Sequence, residues 1–112
     1  MTMKNITKRD GRLVPFDAAK IESAILKSFE ASGSAKGRET AQQLTQQVIA
    51  ELENNESISS TPSVEEVQDT VERVLIEKGF VRSAKAYILY RAERSRVREM
   101  NTRLMKTFED HL

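Results

Sequence analysis

Three stretches of the chain repeat apolar residues every three or four positions, and this spacing predicts three amphipathic helices around one core. The stripes are Ile21, Ile25 and Phe29; Ala41, Leu44, Val48 and Leu52; and Val64, Val67, Val71, Val74 and Leu75. Residues 32–34 are expected to end the first helix, the second is predicted from Arg38 to Asn54, and the third stops at Gly79. A chain of 112 residues has room for a single modest core of this kind.

Capping residues mark the starts of two of these helices. Asp17 is a favoured N-cap for the first helix, because its carboxylate can accept from a free backbone N–H group. Ser63 and Glu66 have the spacing of a capping box at the start of the third.

Residues 4–16, before the first helix, are predicted to form a β-hairpin. The dipeptide Asp10-Gly11 favours a two-residue type I′ turn, which needs a positive φ at both positions. This turn pairs Arg9 with Arg12, Lys8 with Leu13 and Thr7 with Val14. A lone two-stranded ribbon is marginal in water, so we expect it to lie on the helices.

A fourth helix is predicted to begin near Arg82, with an inner face of Ala84, Ile88 and one or both of Tyr87 and Tyr90. Because no helix breaker follows, it is expected to continue through Val97, Met100, Leu104 and Phe108. The predicted fold class is mainly α with a small β-hairpin cap (α+β). It is a four-helix bundle covered by an N-terminal two- or three-stranded sheet, with an extended C-terminal helix. We expect a domain of residues 1–96 and a helical connector of residues 97–112.

Composition excludes several classes of site. Without cysteine the chain has no disulfide, thiolate zinc site or thiol nucleophile, and no apolar run is long enough to span a bilayer. A cytoplasmic location with no membrane partner is therefore expected. The only histidine, His111, has no ligand partners nearby in the sequence, so no metal-binding residue is predicted.

The charge of the chain is close to neutral but unevenly distributed. A net charge of +1 argues against a globally basic nucleic-acid binder, yet the stretch from Lys85 to Lys106 is strongly cationic. Such a stretch is expected to be either an anion-binding or docking face, or a solvated helix surface. A nucleic-acid-binding helical domain that uses these arginines is a further, less favoured alternative.

The strongest chemical signal is the pair Lys8 and Arg9 beside a tight turn, followed at helix spacing by Asp17 and Lys20. Lysine supplies a point charge and arginine a planar fork of donors, which together suit a polyphosphate. Lys20 falls at the N3 position, where the helix macrodipole disfavours a cation but a bound phosphate would meet free N–H groups. The alternative is that these residues are ordinary surface charges.

Four carboxylates cluster on the third helix: Glu65, Glu66, Asp69 and Glu72. Such a cluster could serve acid–base chemistry or hold Mg²⁺. No nucleophile or oriented base lies nearby in the sequence, and acids complement the positive end of a helix, so a structural role is favoured.

Three stretches of this sequence resemble segments of the ATP-cone family. They are Ile6, Thr7, Lys8, Arg9, Asp10 and Gly11 with residues 14–17 and Lys20; residues 63–69; and residues 86–91. The resemblance covers about residues 4–94 and implies a four-helix bundle under a small sheet, with an adenine nucleotide beneath the hairpin. Val14 stands where some members of the family carry an acid.

The resemblance also implies roles for individual residues. Ile6 would lie at the adenine, Lys8, Arg9 and Lys20 at the phosphates, and Asp17 at the ribose or base. The start of the third helix, including Ser63 and Gln68, and Arg91 or Arg94 would close the site. The ligand implied is ATP or dATP, with Mg²⁺ expected alongside the triphosphate. The implied partners are the rest of a ribonucleotide reductase chain and a nucleotide-dependent homo-oligomer.

The sequence therefore predicts an allosteric regulatory domain without catalytic residues, whose parent protein is expected to be a ribonucleoside-triphosphate reductase. Residues 99–108 resemble the run from the cone into the catalytic body of anaerobic glycyl-radical reductases, although cobalamin-dependent and aerobic reductases carry cones too. One alternative is a degenerate cone that acts as an oligomerisation scaffold. Another is the nucleotide-sensing part of a transcriptional repressor of reductase genes, but that repressor carries a cysteine zinc ribbon.

Overall fold

The apolar stripes form helices in the computed structural model, which describes the backbone of residues 4–110 and the side chains of residues 4–106. The four helices are α1 (Ala18–Ala31), α2 (Arg38–Asn54), α3 (Val64–Glu77) and α4 (Val81–Asp110). Together with one N-terminal hairpin they confirm the predicted fold class. The bounds of α2 are those predicted from the sequence.

Each helix packs against two others, and together they close a ring. Helix α1 lies against α2 and α4, and α3 lies against the same two helices. The centre of the ring holds side chains that have almost no exposure: Ile25, Phe29, Val48, Leu52, Val71, Val74 and Leu75. The ring of Phe29 also meets that of Phe80, with centroids 5.3 Å apart. All the stripe residues predicted for α1 and α2 are buried, as are four of the five for α3, Val64 being half-buried.

Capping residues begin and end the helices where the sequence predicted. The carboxylate of Asp17 accepts from the N–H of Ala19 at 3.0 Å. Ser63 and Glu66 exchange reciprocal hydrogen bonds of 2.9 and 3.0 Å, which completes the capping box. Gly33, with φ of 73°, follows the last turn of α1 in the left-handed conformation that suits a helix C-terminus.

The hairpin pairs β1 (Asn5–Thr7) with β2 (Leu13–Pro15) in antiparallel fashion. Ile6 lies opposite Val14, and Thr7 lies opposite Leu13. The predicted register is therefore wrong by one residue at all three pairs, Thr7 with Val14, Lys8 with Leu13 and Arg9 with Arg12. Because side chains alternate between faces, this shift decides which residues point towards the helices.

The turn explains the difference in register. The N–H of Gly11 donates to the carbonyl of Lys8 at 2.9 Å, and the N–H of Lys8 donates to the carbonyl of Arg12 at 2.8 Å. The loop thus has three residues, with only Gly11 at positive φ (86°), rather than the two of a type I′ turn. Asp10 keeps a negative φ, and its carboxylate accepts from the N–H and the Nε of Arg12 at 3.1 and 2.6 Å.

A single bridge joins the hairpin to the segment before α3. Thr7 pairs in parallel with Ser63, and its N–H donates to the carbonyl of Pro62 at 2.9 Å. Within residues 4–110 the sheet therefore has two strands and one additional bridge, in place of a full third strand.

The inner face of α4 differs from the prediction at one residue. Ala84 and Tyr87 are buried and Tyr90 packs partly against the core, but Ile88 is 42% exposed. Ser83, which donates to or accepts from Ser32 across a 2.9 Å hydrogen bond, is buried instead. The buried face of α4 is thus formed by Ser83, Ala84 and Tyr87, and Ile88 lies outside it.

Helix α4 continues to Asp110, so the predicted continuation is confirmed over the described residues. Its apolar residues beyond the bundle, Val97, Met100 and Leu104, are exposed. None of the described helices is both long and apolar enough to cross a membrane. The boundary between residues 96 and 97 stays a prediction, and His111 lies outside the described residues.

Candidate functional site

The hairpin end of the bundle brings together the N-termini of α1 and α3. Strand β2 leads directly into Asp17, and the bridge from Thr7 places the hairpin beside Ser63. Both termini are capped by these side chains, each of which satisfies one backbone N–H. Since the first four N–H groups of a helix lack partners within it, this end of the molecule retains donors and partial positive charge.

Lys20 occupies the N3 position of α1, as the sequence predicted. Asp17 is the N-cap and Ala18 the first helical residue, and the first turn of α1 contains no acid. Lys20 is exposed there, while the first turn of α3 carries Glu65 and Glu66. The two N-termini therefore differ in charge, and α1 presents the more positive one.

Arg9 ties the hairpin to both α3 and α4. Its Nε donates to Glu65 Oε1 at 2.6 Å, and its Nη2 donates to Ser95 Oγ at 2.7 Å. Partial burial acts to raise the pKa of Glu65, but the hydrogen bond from Arg9 and the charges of Arg9 and Arg91 outweigh it, so this pKa lies below its ordinary value. Neither contact was predicted, since the partners lie 56 and 86 residues away along the chain.

The other hairpin residues of the predicted site lie on two faces. Ile6 and Lys8 are two residues apart, so their side chains are expected on the same face of the hairpin. Ile6 packs against the core, and Lys8 is half-buried. The backbone of Thr7 is used in the bridge to α3. Asp10 and Gly11 form the turn, and the backbone N–H and the guanidinium of Arg12 hold the pKa of Asp10 below its ordinary value.

On the other side, α3 and α4 are joined through Arg91, which lies one turn before Ser95. Its Nη1 donates to Asp69 and Glu72, at 2.7 Å each. Burial acts to lower the pKa of Arg91, but the two hydrogen bonds and the charges of Asp69 and Glu72 raise it by more than burial lowers it. The pKa of Arg91 therefore lies above its ordinary value. With Glu65 bound to Arg9 and Glu66 in the capping box, all four acids of the cluster predicted on the third helix have structural partners.

Gln68 and Arg94 contrast in their surroundings. The Oε1 atom of Gln68 is buried and accepts no hydrogen bond from the part of the chain that the structure describes. A buried acceptor without a donor costs about 1–3 kcal/mol. Arg94 is exposed on α4. The structure thus brings Gln68 and Arg91 to the α3–α4 side of the hairpin end and leaves Arg94 in solvent.

An open groove of about 410 Å³ separates the hairpin turn from α4. We call it the turn–α4 groove; its lining residues are Lys8, Arg9, Asp10, Arg12, Arg98, Glu99, Thr102 and Arg103. The sequence marked this part of α4 as cationic but did not place it against the hairpin. Within the described residues, no group of three or more histidine or acidic side chains is placed to hold a metal.

Comparison with known proteins gives the chain a family context. A model of the ATP cone domain family matches residues 4–96. The chain is 42% identical over 102 residues to the vitamin B12-dependent ribonucleoside-diphosphate reductase of Thermoplasma acidophilum, covering 87% of this chain and 13% of that protein. It is 38% identical over 102 residues to the ribonucleoside-diphosphate reductase subunit alpha of Chlamydia muridarum, covering 85% and 10%.

A third relative is the anaerobic ribonucleoside-triphosphate reductase of Salmonella typhimurium, 33% identical over 101 residues, with coverage of 89% of this chain and 13% of that protein. The chain spans only about a tenth of the length of these relatives. Their names cover three kinds of reductase and do not single out the anaerobic one.

Proposed function

Since the chain belongs to the ATP-cone domain family, we propose that its hairpin end binds ATP or dATP as an allosteric effector. The domain has no catalysis of its own and regulates a ribonucleotide reductase of which it forms a small part. The observation that carries this proposal is Lys20, a cation at the N3 position of a helix with no acid in its first turn. That position is unfavourable for the free helix and favourable once an anion is bound.

The phosphates are assigned to Lys8, Arg9 and Lys20. Lys8 is half-buried and lines the turn–α4 groove, and Arg9 lies next to it beside the start of α3. A triphosphate here would be bound by cations from the hairpin and from α1 and by the free N–H groups of α1. Binding would draw the Arg9 guanidinium from Glu65 towards the phosphates, which exchanges one charge-assisted hydrogen bond for another.

The base and ribose are assigned to Ile6, Asp17 and Gln68. Ile6 offers an apolar surface at the edge of the core, and one carboxylate oxygen of Asp17 remains beyond its capping bond. The buried Gln68 Oε1 lacks a donor among the described residues, and the amino group of adenine is a donor that glutamine recognises. Ser63, with Arg91 or Arg94, closes the site on the α3–α4 side.

Any Mg²⁺ at this site is expected to be held mainly by phosphate oxygens and water. Mg²⁺ in nucleotide sites binds through substrate phosphates and one or two carboxylates. This fits an end of the molecule where the described acids cap helices or pair with arginines. The ion neutralises phosphate charge, and Lys8 and Lys20 orient the chain of phosphates.

Calorimetric titration with ATP and dATP, with and without Mg²⁺, tests the proposal. Lys20→Glu is expected to lower the affinity for both nucleotides at least tenfold. The same change leaves the free energy of unfolding unchanged or raises it by about 0.3–1 kcal/mol, because an acid at N3 suits the helix dipole. A loss of affinity without a loss of stability separates a ligand role from a structural one.

Lys36→Glu is the matched control, because Lys36 directly precedes the N-cap of α2 and lies away from the hairpin. It should leave nucleotide affinity unchanged. The proposal fails if neither nucleotide binds at millimolar concentration, or if Lys20→Glu binds them as tightly as the wild type.

A second candidate function is an oligomerisation scaffold that does not respond to nucleotide. The exposed Val97, Met100 and Leu104 on α4 favour it, because they form an apolar stripe beyond the bundle. Light scattering with and without dATP separates the two functions. Self-association that is the same in both conditions favours the scaffold, and a change of mass on adding dATP favours the allosteric domain.

A further inference from the structure

One hydrogen bond identifies the face of α4 that is turned towards the hairpin. Ser95 Oγ accepts from Arg9 Nη2 at 2.7 Å, so Ser95 faces the turn. Residues three, four, seven and eight positions further along a helix lie on the same face. These are Arg98, Glu99, Thr102 and Arg103, the four residues with which α4 lines the turn–α4 groove.

The groove carries an excess of positive charge on both walls. The hairpin contributes Lys8, Arg9 and Arg12, and α4 contributes Arg98 and Arg103, against the two carboxylates of Asp10 and Glu99.

Contacts within the molecule already occupy part of this charge. Asp10 is bound to Arg12 at 2.6 Å, and Arg9 is bound to Glu65. Within residues 4–106, Lys8, Arg98 and Arg103 have no ion pair, although they line one groove. Like charges facing one another repel, so this arrangement favours an anion between them.

We propose that the turn–α4 groove binds a polyphosphate chain, with Arg98 and Arg103 as phosphate-binding residues. This rests on the proposed function in one respect, namely that the chain is that of the bound nucleotide. Lys8 and Arg9 belong both to the groove and to the proposed nucleotide site, so the two are continuous. Arg98 and Arg103 lie beyond residue 96, where the match to the family ends.

The number and placement of the cations favour a polyphosphate over a single carboxylate or phosphate. Cations stand on two walls of a groove of about 410 Å³, and several linked phosphates can pair with more of them at once than a single small anion can. A chain of two or three phosphates can meet both Lys8 on the hairpin and the arginines of α4. The hydroxyl of Thr102 adds a donor on the helix wall.

A regulatory consequence follows for α4. A triphosphate that reaches the groove links the hairpin turn to the part of α4 beyond the bundle. A monophosphate bound at Lys8 and Lys20 has a single phosphate group, so it can pair with fewer of these cations than a triphosphate can. The extension of α4 therefore responds to the number of phosphates on the ligand, and the adenine plays no part in that response.

Calorimetry with inorganic tripolyphosphate, ATP and AMP on the full chain tests the inference. The variant Arg98→Ala/Arg103→Ala is expected to lower the affinity for tripolyphosphate and for ATP by roughly tenfold or more, because each arginine supplies a charge-assisted hydrogen bond. AMP affinity should change by less than about twofold. The control is Arg96→Ala/Lys106→Ala, which removes the same charge from residues of α4 that do not line the groove.

The possible results are distinguishable. Unchanged affinity for tripolyphosphate and ATP in Arg98→Ala/Arg103→Ala overturns the inference, and so does an equal loss in the control, which indicates unspecific charge attraction. If wild type binds tripolyphosphate through these arginines but does not bind ATP, the groove is a polyphosphate site and the adenine-nucleotide proposal fails. If ATP binds but neither arginine matters, the proposed function stands and the groove plays no part in it.

Discussion

The helical bundle and the hairpin that caps it are held in place by different forces. The bundle is held by apolar side chains with almost no exposure, such as Phe29 and Leu75. The hairpin is anchored by the apolar contact of Ile6 and by polar links from Thr7 to Pro62 and from Arg9 to Glu65 and Ser95. Because exposed polar links contribute little free energy, we expect the hairpin to open more easily than the bundle. The same links place cations where a ligand can reach them.

The largest expected effect tests the bundle half of this comparison. Phe29→Ala removes a fully buried ring that packs on Phe80, and should lower the free energy of unfolding by about 3–5 kcal/mol. Urea denaturation followed by circular dichroism measures it. Leu13→Ala in β2, at a side chain 63% exposed, is the control and should change it by less than about 0.5 kcal/mol. A loss below about 1 kcal/mol for Phe29→Ala would mean that burial does not dominate the bundle.

An intermediate effect tests whether the hairpin opens on its own. Gly11 has φ of 86° and open space where a Cβ would be added, so Gly11→Ala costs about 1–2 kcal/mol of backbone strain without a clash. Hydrogen exchange at the amides of Thr7 and Lys8 should then speed up roughly tenfold, while exchange in α2 and α3 stays the same. Asparagine tolerates this conformation better than alanine, so exchange of the hairpin amides in Gly11→Asn should be faster than in wild type and slower than in Gly11→Ala. Equal acceleration in α3 would show that hairpin and bundle open as one unit.

The smallest effect concerns the ion pair between Arg9 and Glu65. The folded pKa of Glu65 lies below its ordinary value, so the pair stabilises the hairpin above that ordinary value and is lost as pH falls through the folded pKa. Since both side chains are partly exposed, the contribution should not exceed about 1 kcal/mol. Hydrogen exchange of the hairpin amides, corrected for the intrinsic rate, should show protection falling in wild type as pH drops below the ordinary pKa of a glutamate and through the lowered pKa of Glu65. In Glu65→Gln this dependence should vanish, and its persistence would assign the effect to another carboxylate.

What the sequence could predict was local. The caps at Asp17 and Ser63, the position of Lys20 and the bounds of α2 each depend on residues within a few positions of one another. The hairpin register failed because two turns compete for Asp10-Gly11, and the side chain of Arg12 helps to decide between them.

The remaining differences depend on distant parts of the chain. Ile88 was misplaced because the face that α4 buries depends on packing against distant parts of the chain, including the hydrogen bond between Ser83 and the α1 C-cap Ser32. The contacts of Arg9 join residues far apart in the sequence, which no local pattern encodes. The roles assigned to the site residues remain predictions for the titrations to decide.

Helix α4 is one uninterrupted rod of 30 residues, about 45 Å long. Its base packs in the bundle, whereas the stretch from Val97 to Asp110 extends about 20 Å further. Such a rod works as a lever arm, with its fulcrum near the ring of Tyr87. A tilt of roughly 10° about this point moves the far end, about 34 Å away, by about 6 Å, as follows from the rise of the helix. Displacements too small to disturb the core are thereby amplified along the helix before they reach its far end.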